Sequence, residues 1–529
     1  MKNIKFNFII TSLVLIFSVS SCQKGDLIND PNAVNSNALV PVSLILNHLT
    51  ATFIRTEEFP FGTVNKTNQF QVSNYDKYWG TNEYNYSYST HSYDILKYAV
   101  QLEVQAATQV GPNSKYAAVA KFFRAYSAIW LAQRVGDIPM TQAGDPSFIT
   151  PAFDTQHDVY KNSLKLLEDA NAIFNTAIAP ATQNTVFNTG DIFGFTNLQW
   201  QKLINTYRLR VLLSLSKRAD DNADLNVKTQ FATIVNNPAT NPIMTSNSDN
   251  MVYKFTAITL YPIFATGNSS YNNFMNVGKT VLDITTASKD PRTFLMATPI
   301  TGTTATNAGD FSRYVGADPG TALATLQNTA ATGIYSFFNA KRYLGSNTGS
   351  TAEPFIFIGY PELCFNIAEG INRGWAPALA ATDAKSYYDK GIAASFANFG
   401  LNVATNSSVN ISDVGGATVG TTTTDNATFL ANVAYNTATP ATALTQILSQ
   451  KYVAFFMNSG YEAFFNYRRT GLPNFSKGGV GIGTAGGALP RRWLYPLAEI
   501  NNNSANYKAA ISSQFGGSED IFKDTWLTK

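Results

Sequence analysis

Residues 119–139 read VAKFFRAYSAIWLAQRVGDIP, and this stretch indicates the fold class most clearly. Its large apolar side chains recur at spacings of three, four and seven residues, which is the pattern of a helix with a buried face. Gly136, Asp137 and Pro139 follow the last apolar turn, and residues of these types commonly end helices. The stretch therefore predicts an amphipathic helix that closes with a short loop.

The same periodicity recurs in five later segments of the chain. Asp154 or Thr155 can cap the first of these segments by accepting a hydrogen bond from a backbone N–H. We predict an all-α fold of antiparallel helix pairs stacked into a layer, without a clean 34-residue repeat. The five segments are residues 154–174, 197–218, 360–373, 384–396 and 444–457.

Long tracts rich in Asn, Thr, Gly and Ser separate the predicted helices. None has the charge density of a disordered tail, and apolar helices recur on both sides of each tract. We therefore predict one large helical domain with long irregular loops rather than a string of linked modules. The longest tracts are residues 236–250, 298–332, 402–440 and 478–488.

The composition limits the classes of partner. The 38 Lys and Arg residues nearly balance the 35 Asp and Glu residues, so the sequence indicates no nucleic-acid partner. Charged residues make up only 14% of the 529-residue chain, so uncharged amides and hydroxyls must supply most of the polar surface. Aromatic residues reach 13% and offer flat apolar faces that can stack on a ligand.

The sequence contains no recognisable catalytic motif. Two cysteines and three distant histidines cannot form a Cys/His zinc module, and the Gly-rich run 478–483 lacks the flanking strand and helix of a phosphate-binding loop. A pair of carboxylates that meet in space stays open as a hydrolytic site. We predict no catalytic residue, no metal and no cofactor. Cys364 lies on an apolar helical face and is predicted to be a buried small side chain rather than a catalytic thiol.

The first 22 residues have the pattern of a bacterial lipoprotein signal. Lys2 and Lys5 precede a short apolar run over residues 6–19, which is too short to span a bilayer. Small residues then lead to Cys22, the predicted site of cleavage and acylation; an ordinary secretory signal with an incidental cysteine is the alternative. We predict a signal peptide over residues 1–21 and a single domain over residues 22–529.

A dense group of aromatic and amide side chains is the most suggestive candidate for a binding site. Rings beside amides suit a neutral, hydroxyl-rich ligand such as an oligosaccharide, whereas packing in the core is the alternative interpretation. A second, weaker patch lies within residues 261–274. The predicted ligand-binding residues are Tyr75, Tyr78, Trp79, Asn82, Tyr84 and Tyr86 from the first group, with Tyr271 and Asn272 from the second.

Several short motifs, in this order along the chain, resemble a known family. They are residues 135–139 (VGDIP), 200–210 (WQKLINTYRLR), 290–292 (DPR), 360–370 (YPELCFNIAEG) and 467–471 (YRRTG). The chain resembles the SusD/RagB-like outer-membrane nutrient-binding lipoproteins of Bacteroidetes, in the branch called SusD-like 2. Met140 stands where that family usually has Tyr.

This resemblance implies tetratricopeptide-like helix pairs, no enzymatic activity, and a role as a lid over a SusC-like TonB-dependent transporter. It also implies that Arg468, Arg469 and Asp137 belong to the scaffold, because the family shares them across different ligands. Specificity is then expected in the aromatic group and in the loops.

We predict a cell-surface lipoprotein of the outer membrane, anchored through acylated Cys22, that captures an oligosaccharide and delivers it to a partner transporter. Peptide capture, as in RagB-like proteins, is the first alternative, because a cleft lined by Phe and Tyr would suit a peptide too. An extracytoplasmic hydrolase is the second, and it would need two acids or a triad around one cleft.

Overall fold

Helices make up most of the regular structure in the computed structural model. The structure describes residues 39–53, 58–86, 93–263, 274–343, 353–484 and 487–529. The helices are α1 (Val42–Thr52), α2 (Thr63–Thr67), α3 (Asp76–Trp79), α4 (Tyr93–Gln109), α5 (Lys115–Val135), α6 (Gln156–Ala177), α7 (Asn197–Ser214), α8 (Val227–Asn236), α9 (Lys279–Ala287), α10 (Thr293–Met296), α11 (Leu323–Ala331), α12 (Ala340–Tyr343), α13 (Tyr360–Asn372), α14 (Ala381–Asn398), α15 (Asn426–Asn432), α16 (Pro440–Ala454), α17 (Glu462–Thr470), α18 (Leu497–Asn502) and α19 (Ser504–Phe515). The strands are β1 (Gln71–Ser73), β2 (Met251–Tyr253), β3 (Met275–Val277), β4 (Phe355–Ile358), β5 (Ser408–Ser412) and β6 (Thr418–Thr423).

The helix-rich architecture confirms the predicted fold class. Consecutive long helices pack on one another: α4 on α5, α5 on α6, α6 on α7, and α13 on both α14 and α16. Contacts group Val42–Lys529 into one unit.

The predicted signal peptide and Cys22 lie outside the described residues. No helix in the described part of the chain is both long enough and apolar enough to cross a membrane.

Helix α5 is buried on more sides than its sequence predicts. Ser114 caps its first turn by accepting a hydrogen bond from the backbone N–H of Ala117, and Gly136 ends it with a φ of 105°. The predicted apolar face is buried, but so are Ala118, Ala125 and Ala132 on its other sides. These small side chains let α4 and α6 approach closely, so the helix is covered rather than amphipathic.

The tract 402–440, predicted as an irregular loop, contains regular structure. Strands β5 and β6 form an antiparallel hairpin in which Ser408 is opposite Thr423, and helix α15 follows. Thr side chains favour the extended conformation, which accounts for β6 in a stretch without alternating apolar residues. The tract 298–332 likewise contains helix α11. Both tracts are poor in apolar residues, and for that reason their sequences indicated loops.

Buried ion pairs explain several motifs that carry the family resemblance. Arg210 on α7 donates from Nε to Oε1 of Glu362 on α13 at 2.6 Å, and both side chains are buried. Arg292 pairs with Asp290, and neither side chain is exposed to solvent. Buried charges of this kind are tolerated because each has an opposite charge and further hydrogen bonds. The motifs therefore fix how the helices meet.

The buried thiol agrees with the sequence prediction. Cys364 lies in α13 and is buried and unpaired among the described residues. Burial raises the pKa of its thiol to about 12, so the thiolate needed for nucleophilic chemistry is not formed at neutral pH.

Replacing Thr196 by Ala is expected to lower the free energy of unfolding by about 1 kcal/mol, because Thr196 and Gln199 form a reciprocal capping box at the start of α7. Urea unfolding followed by circular dichroism measures the change. Thr176→Ala on the exposed end of α6 is the control and should change the free energy by less than about 0.5 kcal/mol. Equal losses in the two variants would show that the box does not stabilise α7.

Candidate functional site

A stacked pair of aromatic rings lies at one end of a short β-ribbon. Strands β1 and β3 pair antiparallel, with Gln71 opposite Val277 and Ser73 opposite Met275. This register brings Tyr75 beside Phe274, and their ring centroids are 4.5 Å apart with an interplanar angle of 24°. Both residues are partly exposed. The pair therefore offers an apolar, flat surface to a ligand.

Trp79 extends this aromatic surface. Tyr75 is the N-cap residue of α3, and Trp79 ends that single-turn helix four residues later. The indole is thus carried by the single helical turn that begins directly after Tyr75. Trp79 is partly exposed as well. We call Tyr75, Trp79 and Phe274 the aromatic platform.

A partly buried lysine fixes the turn that carries Trp79. The Nζ of Lys66 donates to the carbonyl oxygens of Trp79 at 2.6 Å and of Thr81 at 3.0 Å. Between them, Gly80 has a φ of 68°, a conformation that other residues rarely adopt. Burial lowers the pKa of Lys66 to about 8, so the ammonium still prevails at neutral pH. The lysine therefore holds the end of α3 beside the ribbon.

The amide of Asn82 is committed to the backbone. Its Oδ1 accepts from the backbone N–H of Ser73 at 2.7 Å, and its Nδ2 donates to the carbonyl of Ser73 at 2.8 Å. Asn82 is buried, and its amide forms the same pair of hydrogen bonds with Ser73 that a neighbouring strand would form. The structure thus places this predicted ligand contact inside the protein.

Tyr84 and Tyr86 also lie in the core rather than on the platform. The hydroxyl of Tyr84 donates to the carbonyl of Thr67 at 2.7 Å. The ring of Tyr86 stacks on Trp493 with centroids 4.0 Å apart. Both tyrosines are about 5% exposed, and burial raises the pKa of each hydroxyl. Their contacts anchor the segment after the platform to α17 and to the C-terminal part of the chain.

Tyr271, Asn272 and the side chain of Tyr78 lie outside the described residues. Phe274 sits at the edge of the second sequence patch, but only the register of β1 and β3 shows that it pairs with Tyr75.

A cleft of about 440 Å³ lies near the other end of the same ribbon. Gln69 connects the two walls, because its Oε1 accepts from the hydroxyl of Thr280 at 2.8 Å and from the backbone N–H of Ser476 at 2.9 Å. Asp318 and Phe475 also line it. Its volume lies within the usual range for small-molecule sites, about 300–1,000 Å³. It is a second place where a ligand could bind.

Within the described residues, no group of three or more His, Cys, Asp or Glu side chains could hold a metal ion. Several charged groups of the core are engaged in ion pairs such as Arg210–Glu362. The site is therefore a helical scaffold that presents aromatic rings to solvent.

The helix-rich fold is that of the SusD-like nutrient-binding proteins. The chain belongs to the family SusD-like 2, described as starch-binding and associating with the outer membrane, whose profile matches residues 35–496. Members of this family are binding proteins that associate with the outer membrane. The resemblance noted in the sequence is confirmed. No curated protein matches the chain.

Solved structures agree with this assignment. A SusD homologue from Bacteroides fragilis NCTC 9343 is 28% identical with a TM-score of 0.77, over 93% of this chain and 100% of that chain. An outer membrane protein from Bacteroides vulgatus ATCC 8482, described in terms of nutrient binding, is 27% identical with a TM-score of 0.74, over 93% and 100%. A chitin-binding SusD homologue from Flavobacterium johnsoniae shares the fold at 19% identity and a TM-score of 0.67, over 92% and 98%.

Proposed function

We propose that this protein is a cell-surface lipoprotein that captures a neutral oligosaccharide on the aromatic platform and delivers it to a SusC-like TonB-dependent transporter. The observation that carries the proposal is the stacked, partly exposed pair of Tyr75 and Phe274 with Trp79 one turn away. The C–H faces of sugar rings pack well on such flat apolar surfaces, while their hydroxyl groups remain in contact with water and amides.

The charge of the chain supports a neutral ligand. The whole protein has a formal net charge of only +3, and the two exposed charged residues between Tyr75 and Trp79, Asp76 and Lys77, are of opposite sign. Lys66 donates to the backbone carbonyls of Trp79 and Thr81. Electrostatic attraction therefore contributes little, and stacking with hydrogen bonds must provide the affinity.

Isothermal titration of the chain lacking residues 1–22 against a panel of ligands tests the proposal. The panel contains malto-, chito-, xylo- and manno-oligosaccharides together with a mixture of uncharged peptides; the chito-oligosaccharides are included because one structure of this fold is named as chitin-binding. We expect binding of at least one oligosaccharide and its recovery intact by chromatography. Binding of peptides alone, or cleavage that disappears with a single Asp or Glu substitution, would contradict the proposal.

Replacing Cys22 by Ala is expected to release the protein from the outer membrane. Burial of an acyl chain is worth about 0.8 kcal/mol per CH₂, and several chains together anchor a protein stably. Fractionation after high-salt and carbonate washing, in a strain lacking the transporter, measures the change. Ser20→Ala, which keeps a small residue before the cysteine, is the control and should stay bound. Persistent membrane binding of the Cys22 variant would show that the anchor lies elsewhere.

A further inference from the structure

A small buried cavity lies where α5, α7, α13, α16 and α17 converge. The space open to the centre of a water molecule is about 20 Å³, which is enough for one water molecule or one monatomic ion. Four of the side chains around it are cations and one is an acid. Those charged residues are Arg210, Lys451, Arg468, Arg469 and Glu462.

Two of the cations have carboxylate partners behind the cavity wall. Arg210 pairs with Glu362, and Arg469 donates from Nη2 to Oε2 of Glu369 at 2.9 Å. Lys451 donates to the amide oxygen of Asn466 at 3.1 Å. Glu362 and Glu369 therefore pair with Arg210 and Arg469, and two cations, Lys451 and Arg468, have no carboxylate within ion-pair distance in the described part of the chain.

Like Lys451, Arg468 has no carboxylate partner within ion-pair distance among the described residues. It is 3% exposed, and its Nη1 and Nη2 donate to the backbone carbonyls of Arg491 at 2.6 Å and of Gln133 at 2.7 Å. Its Nε has no hydrogen-bond partner in the described part of the chain. The ring of Phe465 lies 4.6 Å from the guanidinium carbon. A buried guanidinium in this position is costly unless an anion compensates it.

The one acid in the wall does not supply that compensation. Glu462 lies 3.9 Å from Arg210, measured from Oε1 to Nη1. Burial and the nearby carboxylate of Glu362 raise the pKa of Glu462 although Arg210 acts to lower it. The cavity is therefore positive and lined by N–H donors with Phe465 and Leu213 as apolar neighbours.

We propose that this cavity binds a single halide-sized anion, chloride under ordinary conditions, which accepts a hydrogen bond from Nε of Arg468. The anion would neutralise the unpaired guanidinium and join α5, α7 and α17 at one point. The proposal does not depend on which ligand the aromatic platform binds.

Crystals of the purified protein grown with sodium bromide in place of chloride give a direct test. We expect an anomalous bromine peak in the cavity beside Nε of Arg468. A water molecule without anomalous signal, or an empty cavity, would overturn the proposal.

Thermal unfolding gives a second test that depends on the same residue. In chloride or bromide the melting temperature should exceed that in sodium gluconate of equal ionic strength by at least about 2 °C. Arg468→Met should abolish this difference, whereas Lys202→Met, which removes a cation paired with Asp249 elsewhere on α7, should keep it. An unchanged halide effect in Arg468→Met would assign it to another site and overturn the proposal. If Arg468→Met does not fold, the bromide crystals decide.

Discussion

Glu369→Gln is expected to lower the free energy of unfolding by about 3–5 kcal/mol, the usual cost of removing one partner from a buried ion pair. Glu369 lies in α13 and is not exposed to solvent. Its carboxylate accepts from Nη2 of Arg469 on α17 at 2.9 Å and from Nε of Arg373 at 2.8 Å. The neutral amide keeps the shape of the side chain but leaves the buried guanidinium of Arg469 without its counter-charge. Chemical denaturation measures the loss.

A surface glutamate provides the control for this substitution. Glu168 on α6 has a side chain that is 56% exposed and lies 3.8 Å from Lys165. Exposed pairs of this kind contribute little, so Glu168→Gln should change the free energy of unfolding by less than about 0.5 kcal/mol. If the two variants were equally stable, the ion pair between Glu369 and Arg469 would not stabilise the contact of α13 with α17.

The same carboxylate should make the protein sensitive to acid. Burial by itself raises the pKa of Glu369, but the charges and hydrogen bonds of Arg469 and Arg373 outweigh it and hold the pKa at about 2. Because the folded-state pKa lies below the ordinary value of 4.5, the stabilisation is fully present above about pH 4.5 and is lost as the pH falls toward 2. The lowered pKa of Glu369 corresponds to about 3 kcal/mol of stabilisation at neutral pH. The stability difference between wild type and Glu369→Gln should therefore shrink between pH 6 and pH 3.

The helices could be predicted from sequence because their evidence is local. Apolar spacing within residues 360–373 and 384–396 gave α13 and α14 to within a few residues at each end. No local sequence pattern predicts the buried ion pairs, because partners such as Arg210 and Glu362 are far apart in the chain. The recurring motifs marked these residues, but only the packing of α7 on α13 shows what they do.

The candidate site was predicted only in part, for a related reason. The aromatic group around Trp79 follows neither a helical nor a strand period, so the sequence could not tell exposed rings from buried ones. The structure separates them: Tyr75 and Trp79 are partly exposed, whereas Tyr84 and Tyr86 pack against the core. The partner ring of Phe274 comes from about 200 residues away and depends on the β1–β3 register.

Trp79→Ala is expected to weaken oligosaccharide binding at least tenfold while the protein stays folded. A sugar ring that covers about 60–100 Å² of the indole gains about 1.5–2.5 kcal/mol from apolar burial alone, and tenfold in affinity corresponds to about 1.4 kcal/mol. Because Trp79 is only partly buried, its removal opens no closed cavity in the core. Titration with the oligosaccharide that binds in the panel and calorimetric melting of the same variant measure both effects.

Two control variants make the Trp79 result specific to the platform. Phe148→Ala removes an aromatic ring that is 44% exposed in the loop after α5, and it should change neither affinity nor stability appreciably. Tyr86→Ala removes a buried ring stacked on Trp493 and should cost about 3–5 kcal/mol of stability, while the remaining folded protein binds normally. If Trp79→Ala instead lost stability and kept its affinity, Trp79 would be a core residue. The cleft beside Phe475 would then be the next candidate for the ligand site. Loss of binding in Trp79→Ala together with normal binding by folded Tyr86→Ala would show that the exposed rings of this aromatic segment, and not its buried ones, recognise the sugar.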